Sequence, residues 1–238
     1  MTMRIALIGF GKMGREIDAV AREQGETVAH IFDSKHPLKP EMLADVDVCI
    51  EFTKPTAVLT HIYAAIEAKQ DIVVGTTGWY DHVPDLQAKA RESGILYSPN
   101  FSLGMNIFQR IVTRAAELMQ NASDYDPFIH EEHHRHKADS PSGTAMRLAG
   151  ILLEKIDRKK AVQTQPPSGK IESNALHVTS TRAGSITGTH TVAFDSEADS
   201  IELRHIAKNR RGFALGALAA ARWLRGRHGV YTMDDVDL

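Results

Sequence analysis

The stretch Arg4-Ile5-Ala6-Leu7-Ile8-Gly9-Phe10-Gly11-Lys12-Met13-Gly14 decides the fold of the first part of this chain. Its apolar beginning predicts a strand, and the glycines that follow have the spacing GxGxxG. Apolar residues then recur at helical spacing over Lys12–Glu23. In this setting the first glycine allows a tight turn, the second lets the backbone approach a ligand, and the third lets the helix pack closely on the strand. The free N–H groups at the start of the helix therefore predict a binding site for a pyrophosphate.

Asp33 follows the next predicted strand, Thr27–Phe32, at the distance where an acid binds the ribose hydroxyls of a dinucleotide. We therefore predict NADH or NADPH as the coenzyme. The residues predicted to bind it here are Gly9, Phe10, Gly11, Lys12, Met13, Gly14 and Asp33. Asp33 favours NADH, because a carboxylate repels the 2′-phosphate of NADPH. Ser34 and Lys35 would bind that phosphate if Asp33 turned away. The alternative is a glycine turn that binds no ligand.

Strands and helices alternate over roughly the first hundred residues. Beyond the strands above, the short apolar runs Val46–Phe52, Asp71–Val74 and Gly94–Tyr97 predict three more. Such alternation predicts a parallel sheet covered by helices on both faces. We therefore expect an α/β fold, with a Rossmann-type parallel sheet forming a dinucleotide-binding domain over residues 1–103. The Ala- and Leu-rich run Phe213–Leu224 is helical and is a candidate to return and pack on this domain.

The pattern changes near residue 104, where a long amphipathic helix begins. Three strand-like runs separated by turn residues come later, at Leu176–Arg182, Gly188–Phe194 and Ser200–Ala207. They indicate a mixed or antiparallel sheet, so we expect residues 104–211 to form an α+β substrate-binding domain.

Charge and composition exclude several classes of partner. The 238 residues carry 28 Lys+Arg and 30 Asp+Glu, a formal net charge of −2. This balance gives no basic surface for nucleic acid or for a membrane. The apolar runs are too short to span a bilayer. The only cysteine, Cys49, cannot form an internal disulfide, which fits a reducing compartment, and we expect a cytoplasmic protein.

Three further glycine-rich or polar loops lie at the ends of predicted strands. Phe52-Thr53-Lys54-Pro55 lies at the end of Val46–Phe52. Gly75-Thr76-Thr77 comes after Asp71–Val74, and Ser98-Pro99-Asn100-Phe101 comes after Gly94–Tyr97. Ligands of open α/β sheets bind at the carboxyl ends of the strands. All three loops are therefore candidates for the nicotinamide end of the coenzyme, although turn chemistry alone also explains their composition.

The most informative stretch is Glu131-Glu132-His133-His134-Arg135-His136-Lys137-Ala138-Asp139-Ser140-Pro141-Ser142-Gly143-Thr144. Histidine exchanges a proton near neutral pH, and lysine offers a cation or a proton. Ser142 is a candidate N-cap, and the N–H groups of Gly143 and Thr144 would then form a carboxylate site. The stretch predicts a pocket for a small dianion that must be protonated.

Other interpretations of these residues remain open. A charged run is most often a solvated face, and three nearby histidines are compatible with zinc. The alternating geometry of a strand would not bring all three to one face, so we expect no metal. Ser142 lacks the surroundings of a nucleophile, and Cys49 lies in an apolar strand. A non-catalytic NAD-binding sensor and a metal-dependent hydrolase are the competing functions.

The chain resembles the dihydrodipicolinate reductase (4-hydroxy-tetrahydrodipicolinate reductase) family. The motifs that carry the resemblance are, in order, Gly9–Gly14, Gly75–Thr77, Ser98–Phe101 and His133–Thr144. The resemblance implies that the chain's last helix completes the dinucleotide-binding domain, which then comprises residues 1–103 and 212–238. It further implies a homotetramer whose α+β domain makes the subunit contacts. It also implies reduction of 4-hydroxy-tetrahydrodipicolinate or dihydrodipicolinate to tetrahydrodipicolinate with NADH or NADPH, in lysine and diaminopimelate biosynthesis.

By position, the resemblance makes His133 and Lys137 the proton donors, without deciding between them. It assigns the carboxylates of a small dicarboxylate substrate to His134, Gly143 and Thr144. The residues assigned to the nicotinamide end are Gly75, Thr76, Thr77, Ser98, Pro99, Asn100 and Phe101. The chain departs from the family at Ser34, where many relatives have arginine, and at Pro99 and Ser140.

Overall fold

A computed structural model describes residues 2–237. The strands are β1 Arg4–Ile8, β2 Thr27–Phe32, β3 Val48–Glu51, β4 Asp71–Val74, β5 Gly94–Tyr97, β6 Asp126–His133, β7 Ala161–Gln163, β8 Ala175–Arg182, β9 Thr189–Asp195, β10 Ser200–Ile206 and β11 Gly229–Thr232. The helices are α1 Lys12–Glu23, α2 Pro55–Glu67, α3 Val83–Lys89, α4 Leu103–Met119, α5 Gly143–Lys155 and α6 Arg211–Leu224. Contacts divide the chain into two compact units. The first runs up to Asn106 and resumes at Arg210, and the second is Ile107–Asn209.

The first unit is built on a six-stranded sheet in the order β11-β5-β4-β3-β1-β2, with every neighbouring pair parallel. Alternate residues of β1 face opposite sides. Ile5 and Leu7 pack in a cluster with α1 and α6, whereas Ala6 and Ile8 pack in a cluster with α2 and α3. The predicted Rossmann-type parallel sheet is confirmed. Cys49 is buried in the second cluster, and this burial raises the pKa of its thiol to about 12, so it is a core residue and not a nucleophile.

Some elements of this unit differ from the prediction. The strand expected at Val46–Phe52 is limited to β3, and β11 was not predicted at all. β11 pairs with β5 and forms the edge of the sheet. Its four residues are only half-buried and carry a weak apolar pattern, so nothing local identifies it as a strand.

The second unit contains a five-stranded sheet in the order β10-β9-β6-β8-β7. β9 is antiparallel to both of its neighbours, whereas β6, β8 and β7 are parallel to one another. The predicted α+β architecture with a mixed sheet is therefore confirmed. Helix α5 packs on β6 and β8. No helix within residues 2–237 is both long and apolar enough to cross a membrane.

The alternation of β6 determines where the polar side chains of this unit lie. Ile129 and Glu131 are fully buried, whereas Phe128 and Glu132 are partly exposed. Successive side chains of a strand point to opposite faces, so Glu131 and His133 share the inner face with Ile129. A carboxylate and an imidazole therefore occupy core positions of the sheet.

Candidate functional site

The glycine turn of the first unit leaves an open surface at the start of α1. A Cβ on Gly9 would lie 2.2 Å from the carbonyl oxygen of Phe52, and one on Gly14 would lie 2.1 Å from that of Gly9. A Cβ on Gly11 would meet no atom within 4 Å. Gly9, at φ +97°, and Gly14 are therefore required by packing, whereas the space above Gly11 is open. Gly11 caps α1 without a side-chain hydrogen bond, so the N–H groups there fit a pyrophosphate.

A cavity of about 710 Å³ lies beside this turn. Its volume is in the usual range for a cofactor site. The lining residues that the sequence indicates include Gly9, Gly11 and Asp33, together with Thr53 and Lys54 of the loop after β3. The lining residues that were not predicted from the sequence are Pro37, Leu38, Ala57, Thr60 and His61. Ala57, Thr60 and His61 follow the helical spacing i, i+3, i+4 in α2, and this spacing is a local signal that would have indicated a common face.

Asp33 is held in a tight turn at the edge of the cavity. Its Oδ1 atom accepts hydrogen bonds from the backbone N–H groups of Lys35 and His36, both at 2.9 Å. These two N–H groups, with His36 the larger influence, hold the pKa of the Asp33 carboxyl below its usual range. Asp33 is therefore an ionised carboxylate with a fixed Oδ1 atom.

A buried carboxylate, Glu51, ends strand β3 next to the cavity. Its Oε1 atom accepts a hydrogen bond from the Thr53 hydroxyl and lies 3.3 Å from Nδ1 of His61. Thr53 and His61 both line the cavity. Glu51 therefore orients two polar side chains toward the predicted coenzyme site.

The loop after β4 is held by hydrogen bonds to the loop after β3 and within itself. The backbone N–H of Thr53 donates to Oγ1 of Thr76 at 2.8 Å, and the indole N–H of Trp79 donates to the Thr76 carbonyl at 2.7 Å. A Cβ on Gly75 would lie 2.1 Å from the ring of Phe52. Among the three residues predicted here, only Thr77 has an exposed side chain, whereas Thr76 is buried.

The loop after β5 is also internally bonded. Ser98 Oγ accepts from the N–H of Asn100 at 3.1 Å and donates to its carbonyl at 3.0 Å. The ring of Phe101 is 2% exposed and lies edge-on to Phe52, with 5.8 Å between ring centroids. Pro99 is exposed at the tip. Phe101 is thus a core residue that supports the loop, and Pro99 and Asn100 offer the accessible surface.

In the second unit, Glu131 lies at the centre of a buried polar cluster. Its Oε2 atom accepts a hydrogen bond from Nδ1 of His133. Its Oε1 atom accepts from Nη2 of Arg182 at 2.6 Å and from the backbone N–H of Ser142 at 3.1 Å. Ser142 Oγ in turn accepts from the N–H of Ala145 at 3.1 Å, which confirms Ser142 as the N-cap of α5.

The imidazole of His190 also belongs to this cluster. Its ring lies edge-on to that of His133 at 5.2 Å between centroids, and its Nε2 atom is 3.3 Å from Ser142 Oγ. Burial, together with the charge of His133, lowers the pKa of His190 to about 4. Burial also lowers the pKa of His133, and the hydrogen bond to Glu131 offsets only part of this effect. Both rings are therefore neutral near pH 7.

Glu131 remains ionised in spite of its burial. Desolvation by itself would raise the pKa of this carboxyl, but the Arg182 guanidinium and the other hydrogen-bond donors hold it below its usual range. The cluster thus combines one buried anion, one cation and two neutral imidazoles.

Ligand atoms of Glu131, His133 and His190 lie within 4.8 Å of one another, the one grouping of this kind found among residues 2–237. The hydrogen bonds explain this proximity, because both oxygens of Glu131 are engaged, one of them by the Arg182 guanidinium. The zinc alternative considered from the sequence involved His133, His134 and His136, and among residues 2–237 only His133 of these three belongs to the grouping.

The loop beyond β6 brings two anion-binding groups together. Nζ of Lys137 lies 2.8 Å from Oδ1 of Asp139, and the backbone N–H of Gly143 donates to Oδ2 of the same carboxylate at 3.3 Å. A Cβ on Gly143 would meet nothing within 4 Å, so the space around this N–H is open. Thr144 follows it in the first turn of α5, and Nδ1 of His134 is buried without a hydrogen-bond partner in the part of the chain that the structure describes.

Comparisons with known proteins agree with this architecture. The family model described as "Dihydrodipicolinate reductase, N-terminus" matches residues 3–101, and that described as "Dihydrodipicolinate reductase, C-terminus" matches residues 104–236. A 4-hydroxy-tetrahydrodipicolinate reductase of Christiangramia forsetii is 37% identical over 98% of this chain and 97% of its own length. One of Neisseria gonorrhoeae is 36% identical over 82% of this chain and 74% of its own length.

Solved structures show the same fold. A dipicolinate-bound dihydrodipicolinate reductase from Paenisporosarcina sp. TG-14 has a TM-score of 0.77 and 21% identity, covering 99% of this chain and 100% of its own. An amine dehydrogenase from Mycobacterium smegmatis has a TM-score of 0.61 and 10% identity, covering 100% and 97%.

Proposed function

This chain belongs to the dihydrodipicolinate reductase family, and we propose that its two units divide the reaction between them. The protein is an NAD(P)H-dependent oxidoreductase that reduces 4-hydroxy-tetrahydrodipicolinate to tetrahydrodipicolinate in lysine and diaminopimelate biosynthesis. In this proposal the first unit binds the pyridine nucleotide and the second binds the dicarboxylate substrate.

The first unit fits a pyridine nucleotide on its own geometry. The open space above Gly11 and the N–H groups at the start of α1, where no side-chain cap is present, suit the pyrophosphate, and Asp33 suits the adenosine ribose. The loops Gly75–Thr77 and Ser98–Phe101 are assigned to the nicotinamide end, with Thr77, Pro99 and Asn100 exposed or partly exposed there. When bound, the reduced nicotinamide supplies the hydride.

We assign NADH as the preferred coenzyme. Oδ1 of Asp33 is held by two backbone N–H groups, so turning this carboxylate away from a 2′-phosphate would break both hydrogen bonds. Ser34 and Lys35 therefore have less access to a phosphate than the sequence alone permits. The test is kcat/KM with each coenzyme. We expect at least tenfold preference for NADH, equivalent to about 1.4 kcal/mol, and a smaller ratio for Asp33→Asn. An equal or reversed ratio in the wild type would refute this assignment.

The observation that carries the substrate assignment is the position of the Asp139 carboxylate. It contacts both Nζ of Lys137 and the N–H of Gly143, so these two donors converge on a single carboxylate. A substrate carboxylate is chemically the same group, and the first turn of a helix favours negative charge. We assign the substrate carboxylates to Gly143, Thr144 and His134, with Lys137 as the neighbouring cation.

We assign proton donation to Nε2 of His133, with Lys137 as the second donor beside it. Nδ1 of His133 is used by Glu131, whereas Nε2 lies 3.0 Å from where a Cβ of Gly188 would be. The glycine therefore leaves room at the atom that would transfer the proton. Because the pKa of His133 is lowered, only its minor protonated form donates near pH 7, and that form is a stronger acid than ordinary imidazolium.

The kcat–pH profile distinguishes the two donors. With His133 as donor, kcat falls as the pH rises above a pKa that lies below the usual 6.5 of histidine. His133→Gln removes this dependence and lowers kcat more than it raises KM. A wild-type kcat that stays constant to pH 9 would contradict the assignment and favour an ammonium donor.

We also propose a homotetramer in the cytoplasm. Phe128 and Ile206 are 38% and 54% exposed on the face of the second sheet opposite to Glu131, which suits a subunit contact. A reducing compartment suits the single, buried cysteine. Sedimentation equilibrium measures the oligomeric state, and a monomer at micromolar concentration would refute the tetramer.

A further inference from the structure

We propose that Glu131 is a positioning residue that orients the His133 ring and, through Ser142, the first turn of α5. This inference rests on the proposed role of His133 as proton donor. It adds a residue that touches neither coenzyme nor substrate in the scheme above.

The contacts of Glu131 come from separate parts of the second unit. Arg182 is on β8, Ser142 immediately precedes α5, and His133 is on the same strand as Glu131. Glu131 is 0% exposed, and both of its oxygens are engaged. A buried ion pair of this kind is seldom retained for stability, because well-packed apolar residues stabilise a core as well or better. The arrangement therefore points to a role in chemistry.

The hydrogen bond to Glu131 determines the tautomer of His133. An ionised carboxylate only accepts hydrogen bonds, so Nδ1 of His133 must carry a proton. In the neutral ring, Nε2 is then unprotonated and free to take up the proton that it later donates. A ring released from Glu131 would also populate the opposite tautomer, in which Nε2 already holds the proton and neutral imidazole is a very weak acid.

The same carboxylate favours the protonated form of His133. Four charged or titratable groups surround this ring: Glu131 on β6, Arg182 on β8, His190 on β9 and Lys137 in the following loop. Only Glu131 is an anion. Removing its charge therefore leaves the ring beside two cations and a neutral imidazole, and protonation becomes harder.

The other oxygen of Glu131 links the ring to the carboxylate site. It accepts from the N–H of Ser142, the residue before Gly143. Ser142 also caps α5 through its side chain, and that bond does not involve Glu131. We therefore expect loss of the Glu131 charge to affect proton transfer strongly and substrate binding weakly.

The experiment compares Glu131→Gln with Glu132→Gln. Glu132 is the next residue of β6 but faces the other side of the sheet, where it lies 3.7 Å from Arg204. For Glu131→Gln we expect kcat to fall by about 10- to 100-fold and the descending limb of the kcat–pH profile to move to lower pH. The KM for NADH should stay within about twofold of the wild type. Glu132→Gln should leave all three quantities unchanged.

Nitrogen-15 NMR of the imidazoles provides a readout that does not depend on activity. We expect the His133 ring, assigned with the His133→Gln variant, to show protonated Nδ1 in the wild type and a mixture of tautomers in Glu131→Gln. Glu131→Asp keeps the charge and serves if Glu131→Gln does not fold. It should retain the wild-type tautomer with an intermediate kcat.

The outcomes separate the two proposals. An unchanged tautomer or an unchanged kcat–pH profile in Glu131→Gln overturns the positioning role even if His133→Gln is inactive. Full activity of His133→Gln overturns the donor assignment, whatever the tautomer in the variants. An Asp variant that loses the wild-type tautomer also counts against the positioning role.

Discussion

Removing the His190 imidazole should make the protein less sensitive to acid. His190 is 5% exposed, and burial lowers its pKa from 6.5 to about 4. In the unfolded chain the same ring is solvated and takes up a proton near pH 6.5. Between these two pH values the unfolded state binds one more proton than the folded state at this residue. The contribution of the neutral His190 ring to the free energy of unfolding is therefore fully present above pH 6.5 and is lost as the pH falls toward 4.

The size of the effect follows from the two pKa values. Each pH unit between them corresponds to about 1.4 kcal/mol, so His190 accounts for a loss of about 3 kcal/mol in the free energy of unfolding when the pH falls from 7 to below 4. Most of this, about 2.5 kcal/mol, falls between pH 7 and pH 4.5. His190→Gln has no ring to protonate, so its stability should decline less over the same range.

The assay is urea unfolding followed by circular dichroism at several pH values from 7 to 4.5. The difference in unfolding free energy between His190→Gln and the wild type should shift in favour of the variant by about 2 to 3 kcal/mol across this range. His82→Gln, which removes an exposed imidazole of the other unit, is the matched control and should keep the same difference at every pH. A parallel pair of curves for His190→Gln and the wild type, or a His190 ring that titrates above pH 6 in the folded protein by NMR, would refute the reasoning.

Three further substitutions test the packing and the coenzyme site. Gly11→Ala should raise the KM for NADH by tenfold or more and leave the thermal midpoint nearly unchanged, since its Cβ would enter open space where a pyrophosphate is expected. Gly14→Ala should instead lower the free energy of unfolding by about 1–3 kcal/mol, because its Cβ would lie 2.1 Å from a carbonyl oxygen. Equal loss of stability in both variants would contradict this contrast. Gly75→Ala should lower the thermal midpoint in calorimetry, because its Cβ would lie 2.1 Å from the ring of Phe52. Lys159→Met should lower the free energy of unfolding in urea by about 2–3 kcal/mol, because Nζ of this buried lysine donates to two carbonyl groups at 2.8 Å that would be left unpaired. An unchanged midpoint would show that water forms hydrogen bonds with these carbonyl groups instead.

The first unit could be predicted almost completely from its sequence because its signals are local. The apolar run of β1 is followed at once by the glycines, and Pro55 marks the start of α2. β11 was not predicted because it is stabilised by pairing with β5, which lies more than a hundred residues earlier in the chain. A short, half-buried edge strand has no periodicity that would distinguish it from a loop.

The candidate site shows the same division between local and distant signals. The prediction that Ser142 caps a helix beginning at Gly143 needed only neighbouring residues, and it is confirmed. The contacts of Glu131 with Arg182 and of His133 with His190 depend on the pairing of β6 with β8 and β9. No spacing rule connects these residues, which lie more than fifty positions apart, so their role could only emerge from the fold.

The position of Glu131 in the sequence nevertheless carries a signal that is independent of the motifs. Strand alternation places it on the same face as Ile129, where an apolar residue would be expected. A buried acid in that register costs desolvation free energy unless charged or hydrogen-bonding partners surround it. The partners here are an arginine, an imidazole and a helix N-cap, and each of them is also placed beside the predicted substrate site. The apolar pattern of β6 is thus interrupted at Glu131, whose carboxylate contacts both the predicted proton donor and the residue before the predicted carboxylate site. This interruption by itself indicates the location of the predicted catalytic site.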